Sequence, residues 1–120
     1  MTEDLNDVPL RERHCTRIEK GSTPLAAAAA RALLAQVHGD WVYEVDKAAI
    51  RREFRFRNFH ETMAFVNALA WIAHREDHHP DLDVGYNRCG IRYHTHAAGG
   101  LTDNDFICAA KIDALLTGAD

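Results

Sequence analysis

The run Glu53-Phe54-Arg55-Phe56-Arg57 alternates charged and aromatic side chains, and this constrains the fold more than any other feature of the chain. Successive side chains of a strand point to opposite faces, so the segment reads as a strand with one dry face and one wet face. Strands of a parallel sheet are covered on both faces and read as continuous apolar runs. The pattern therefore calls for an antiparallel sheet covered on one side only. Upstream, Trp41, Tyr43 and Val45 alternate with Val42 and Glu44, and a polar turn around Asp46 and Lys47 joins the two strands into a hairpin.

Helical periodicity surrounds this hairpin. Ser22 or Thr23 followed by Pro24 is a favourable helix start, and Leu25, Ala26 to Ala30, Leu33, Leu34 and Val37 carry the helix toward Gly39. Asn58 caps a longer helix, with Phe59, Met63, Val66, Leu69 or Ala70 and Ala73 recurring up to Glu76. Val84 and Tyr86 open a third strand and Ile91, Tyr93 and Thr95 form a fourth, with a tight connection around Asn87 to Gly90. Gly99-Gly100 breaks the chain. Thr102 then caps a last helix with Asp103 and Asp105 in its first turn and Phe106, Ala109, Ile112 and Leu116 beyond. The order is α-β-β-α-β-β-α, an α+β fold with a four-stranded antiparallel sheet and three helices on one face.

Residues 1–23 read as an irregular N-terminal arm from which little chemistry is expected, and residues 24–120 as a single domain. The middle helix carries a second apolar stripe, Phe65, Leu69 and Ile72, which one sheet face cannot cover together with the first. Either the amino-terminal helix covers it or helix 58–76 joins two or four copies into a homodimer or homotetramer.

Composition excludes several classes. A formal charge of −4, with no block of consecutive Lys or Arg long enough to form a basic patch, argues against direct nucleic-acid or anionic-membrane binding. The arginines at 51, 52, 55 and 57 interleave with Glu53 and read as a solvated strand face. No apolar run reaches membrane-span length and the first twenty residues lack the apolar core of a signal peptide, so a cytoplasmic protein is expected. The three cysteines, Cys15, Cys89 and Cys108, are widely spaced and read as reduced thiols.

Five of the eight histidines fall between His74 and His96. Imidazole gives or takes a proton near neutral pH, so the cluster points to acid–base work or to metal ligation. His74 and His78 share a helix face, and His94 and His96 share a strand face, which suits zinc. Against a metal stand Arg75 between the first pair and the absence of H-E-x-x-H spacing. Pro80 forces His79 toward an extended backbone, ending the helix near Asp77 or His78. Imidazoles at a helix carboxyl end are stabilised as cations, which favours proton donors over neutral ligands.

The string His74-x-x-x-His78-His79-Pro80, followed at fixed distances by Tyr86, His96 and Asp105, resembles the active-site signature of the pterin-4a-carbinolamine dehydratase (dimerization cofactor) family. The resemblance covers nearly the whole chain and extends to Phe54, Phe56, Asn58-Phe59, Thr95-His96, Gly100-Leu101-Thr102 and Asp105-Phe106. It implies dehydration of a 4a-hydroxytetrahydrobiopterin-type substrate to the quinonoid dihydropterin, within the tetrahydrobiopterin recycling that serves an aromatic amino acid hydroxylase. No metal or organic cofactor is implied. Carried onto matching positions, His78, His79 and His96 are the catalytic acid–base groups, while His74, Asp77, Pro80, Thr95 and Asp105 bind or orient the pterin. Asp105 has a second reading as a helix cap. His74 departs from the family, where a glutamate often precedes the histidine pair by four residues. A carboxylate there would raise a neighbouring imidazole's pKa and another imidazole would not, so a lower pH optimum is expected. The alternative is a non-catalytic binding module of the same fold, since family relatives include transcriptional cofactors and Rubisco assembly factors.

Overall fold

The computed structural model describes residues 8–116, which form three α-helices and one four-stranded antiparallel sheet. Strands β1 (Val42–Glu44) and β2 (Ala49–Arg55) form the first hairpin, and β3 (Asp81–Val84) and β4 (Arg88–Tyr93) the second. The strand order is β1-β2-β4-β3, with Ile50 opposite Tyr93 and Phe54 opposite Cys89. Helix α1 spans Ala27–Leu34, α2 Phe59–Glu76 and α3 Asp103–Ala114.

The period-two reading holds on the inner face, where Ile50, Phe54, Cys89, Ile91 and Tyr93 are buried in one cluster with Leu69 of α2 and Phe106, Cys108 and Ile112 of α3. Arg52 breaks the simple picture. It has the parity of Ile50 and Phe54, lies over the Phe54 ring at 4.0 Å, and donates to Asp113 of α3 at 2.6 Å. Asp113 also accepts from Trp41 Nε1, so one carboxylate neutralises the nearly buried guanidinium and fixes the residue before β1 to α3.

Asn58 caps α2 as expected, its Oδ1 accepting from Glu61 N at 2.9 Å. The inward face of α2 draws on both stripes, however. Thr62, Phe65, Leu69 and Ala73 face the core, with Phe65 packed on the rings of Phe54 and Phe56, so the chain's own sheet covers the stripe expected to remain for another element. Phe59 and Trp71 stay exposed instead. Thr62 Oγ1 bonds both Asn58 O in its own helix and Tyr86 O in the β3–β4 turn, tying α2 to the second hairpin.

The second hairpin turns earlier than its sequence suggests. β3 is the edge strand and tolerates Asp81 and Asp83, as solvent-facing edges do; Gly85 to Asn87 make the turn and Tyr86 is exposed there. Thr95 lies beyond β4 in an isolated bridge with Gly100. Helix α1 starts later than its proline predicts because Gly21 N and Leu25 N donate to Ala97 O and Leu101 O, holding the intervening residues extended. Pro24 sits where a Cβ on Gly100 would have to go, at 2.8 Å, so only glycine fits there. The arm is less peripheral than expected, since Leu10 is in the core; its first seven residues lie outside the described segment.

Candidate active site

Helix α2 ends by a left-handed turn at Asp77 (φ 51°), with His78 N donating back to Ala73 O at 3.1 Å. That turn, and the proline three residues later, throw His78 and His79 out of the helix toward the loop after β4. The same loop carries His94, Thr95 and His96. Between these segments lies an open cavity of about 350 Å³, lined by Asp77, His78, His79, His94, Thr95, His96, Ala97, Asn104 and, from the arm, Thr16, Arg17 and Ile18. A larger hollow of about 550 Å³ between the arm and α3 has Asp113 as its one carboxylate, already committed to Arg52 and Trp41, and no imidazole. The acid–base groups are in the smaller one.

One carboxylate organises the cavity's inner wall. Asp105, fully buried, takes His78 Nε2 at 2.6 Å on Oδ1, and Thr95 Oγ1 and Thr102 N at 2.9 Å each on Oδ2. The cap and the orienting role are thus both real: Oδ2 closes the capping box of α3 and Oδ1 faces the imidazole. Tyr93 stacks on the His78 ring at 5.2 Å and its hydroxyl donates to His78 O. Burial disfavours the imidazolium of His78, but the hydrogen bond and charge of Asp105, with help from Cys108 and Asp77, outweigh it, so the His78 pKa is raised. With Nε2 engaged, only Nδ1 is left for any other contact.

The geometry brings together Asp77, His78, His79, Thr95 and His96 of the residues singled out from sequence. His79 and His96 are exposed at the cavity, while His78 is nearly buried. His94 and His96 approach edge-on with ring centres 6.5 Å apart. Asp105 stands behind His78 rather than on the cavity surface. His74 lies one helical turn back, its ring against Trp71 at 5.5 Å, and with Pro80 and Tyr86 it is not among the lining residues. Among the described residues no three His, Cys, Asp or Glu side chains converge closely enough to hold a metal ion.

Sequence reasoning missed the arm. Asn104 brackets Thr16, accepting from its N–H at 3.1 Å and donating to its carbonyl at 2.7 Å, which places Thr16 to Ile18 along the cavity. An irregular segment has no periodicity to reveal such a contact. His94 was visible as the alternate partner of His96 but had no place in the spaced signature.

The description "Pterin 4 alpha carbinolamine dehydratase" belongs to the protein family that matches residues 23–115. A Nitrosomonas eutropha protein provisionally named as such a dehydratase is 51% identical over 111 residues, covering 92% of this chain and 96% of that protein. One from Legionella pneumophila (strain Corby), named in the same way, is 52% identical over 116 residues, covering 97% and 98%. Among solved structures, a transcriptional coactivator/pterin dehydratase from Brucella melitensis superposes with a TM-score of 0.73 at 29% identity over 78% of this chain and 98% of that one. A pterin dehydratase-like protein described as a RuBisCO assembly factor in the α-carboxysome shares the fold, with a TM-score of 0.59 at 23% identity over 68% and 95%. The chain belongs to the pterin-4a-carbinolamine dehydratase family.

Proposed function

We propose that the protein dehydrates a 4a-hydroxytetrahydropterin to the quinonoid dihydropterin, with residues 24–120 as the catalytic domain, completed at the cavity wall by Thr16 to Ile18 of the arm, and His78, His79 and His96 as the acid–base groups. The observation that carries this reading is the convergence of two exposed imidazoles, His79 and His96, with the Asp105-held His78 on one cavity, in a chain of this family.

The reaction needs an acid for the departing 4a-hydroxyl while the adjacent ring nitrogen supplies electrons, then a base for a ring proton. His79 and His96, exposed to the cavity, are the proton carriers. His78, oriented by Asp105 through Nε2 and with its pKa raised, leaves Nδ1 as the atom that meets the pterin beside the leaving oxygen. Asp77 and Thr95 set the polarity of the wall against which the pterin ring lies. His74 and Pro80 act through the shape of the α2 exit. No metal or organic cofactor enters these steps. Recycling of tetrahydrobiopterin beside an aromatic amino acid hydroxylase, in the cytoplasm, is the setting this activity fits.

The test is the decay of chemically generated carbinolamine, followed with and without metal-free protein. Acceleration at catalytic concentrations supports the reading, and a rate equal to the spontaneous one refutes it. The Brucella relative's description as a transcriptional coactivator favours one second reading, a binding module. A stoichiometric protein complex together with no turnover would establish that instead. Exposed Phe59 (47%) and Trp71 (60%) on α2 support self-association through this helix as a dimer or tetramer.

A further inference from the structure

The mechanism above uses no sulfur, yet two thiols meet beside the cavity. Cys15 of the arm and Cys108 of α3, 93 positions apart in sequence, bring their Sγ atoms to 3.6 Å. This is no chance approach of a loose segment. Cys15 N donates to Glu76 Oε1 at 2.7 Å, and the next residue is held on both sides by Asn104. Glu76 is itself fixed by His14 and Lys111. The arm is thereby tied to the carboxyl end of α2 and the first turn of α3, with the two sulfurs between the ties.

We propose that Cys15 and Cys108 are a modification site: a hydroperoxide converts them to a reversible intramolecular disulfide that fastens the arm to α3. Cys15 is half-buried and is the sulfur a small peroxide reaches, whereas Cys108 is fully buried and protected from it. A hydrogen bond from Cys15 lowers the Cys108 pKa; burial opposes this, and Tyr93 and His78 reinforce it. The first proton of the pair is therefore lost from Cys108, while the hydrogen bond with Cys108 and burial raise the pKa of Cys15, so Cys15 becomes a thiolate by passing its proton to the Cys108 sulfur. Cys89, buried without a thiol neighbour, has its pKa pushed up to about 11 by burial and serves as an internal control.

The chemistry balances with the peroxide as sole oxidant. The Cys15 sulfur attacks one peroxide oxygen, passing its proton by way of the Cys108 thiolate to the departing hydroxide; an S–O bond forms, the O–O bond breaks and water leaves. The Cys108 thiolate then attacks the sulfenic sulfur, so that an S–S bond forms, the S–O bond breaks and hydroxide takes up the proton first released by Cys108. Two thiols lose two electrons and two protons, and hydrogen peroxide becomes two waters.

Because Thr16 to Ile18 follow Cys15 directly and wall the histidine cavity, the cross-link fixes that wall. It also closes a loop across most of the chain, for which a rise in thermal midpoint on the order of 10 °C is expected.

The test is peptide mapping without reductant after treating the folded, full-length protein with hydrogen peroxide and alkylating the remaining thiols. The expected product is one cross-linked peptide pair containing Cys15 and Cys108, lighter by two hydrogens, formed within single molecules and reversed by dithiothreitol. Cys89 remains alkylatable on unfolding throughout. Cys15→Ser removes both the cross-link and the thermal rise; Cys108→Ala repeats the result where it folds. Cys15 and Cys108 both recovered as free thiols, Cys15 driven to sulfinic acid without a bond to Cys108, or cross-links only between molecules would each overturn the proposal. None of these readouts depends on turnover, so they stand apart from the dehydratase reading.

Discussion

At the scale of single residues, the pair His78–Asp105 decides most. Asp105 holds three partners with two oxygens: the imidazole on one, and Thr95 and the amino end of α3 on the other, the two threonine hydroxyls also meeting at 2.7 Å. Asp105→Ala leaves a nearly buried imidazole without its counter-charge and opens the capping box, so a loss of about 3 kcal/mol is expected in urea unfolding. Asp105→Asn preserves an acceptor for Thr102 N but presents a weaker, uncharged partner to His78. The pH dependence separates the two effects. A His78 pKa raised in the folded state gives stability that is fully present below about 6.5, the unfolded value, and disappears as pH rises through the folded value. Unfolding curves of the wild type should show this loss on moving upward from about pH 6.5. The Asp105→Asn protein should lack that component, and identical pH profiles for the two would contradict the assigned pair.

At the scale of elements, the turn after α2 sets the site. Asp77 occupies left-handed backbone that costs a non-glycine residue roughly 1 kcal/mol, at a position lining the cavity. Asp77→Gly is expected to raise stability by about 0.5–1 kcal/mol while lowering turnover, because the exit that aims His78 and His79 loosens. Equal gains in both would show that the strain has no functional return. The arm makes a parallel case. Asn104→Ala should speed amide exchange at Thr16 and raise KM several-fold with a smaller effect on kcat. Much at this scale was legible in sequence. Asn58 and Glu76 bound α2, and Thr102 with Asp105 marked the α3 cap. The β3–β4 turn was misplaced because Asp81 and Asp83 look unlike strand residues until β3 is known to be an edge. Helix α1 is shorter than its pattern predicts because a Ser22 or Thr23 cap followed by Pro24 says nothing about backbone bonds to residues 97–101.

At the scale of the whole molecule, the alternation at 53–57 was enough to foretell an antiparallel sheet with one covered face, and the spaced histidines foretold which loops converge. What could not be read was which side chains of the two α2 stripes turn inward: both stripes recur every three or four residues, and only the packing of Phe65 on Phe54 and Phe56 decides. Phe59 and Trp71 are the large apolar side chains of α2 left outside, so light scattering at micromolar concentration should give the mass of two or four chains. Trp71→Glu should shift that mass toward one chain without unfolding it; a wild-type mass near one chain would rule out self-association through α2. The central claim is that imidazoles of one cavity carry the dehydration. Its most direct measurement is the catalysed rate of carbinolamine decay for His79→Ala and His96→Ala, each verified as folded. A fall of about 100-fold or more in each is expected of a lost proton carrier. Wild-type rates in both variants would contradict it.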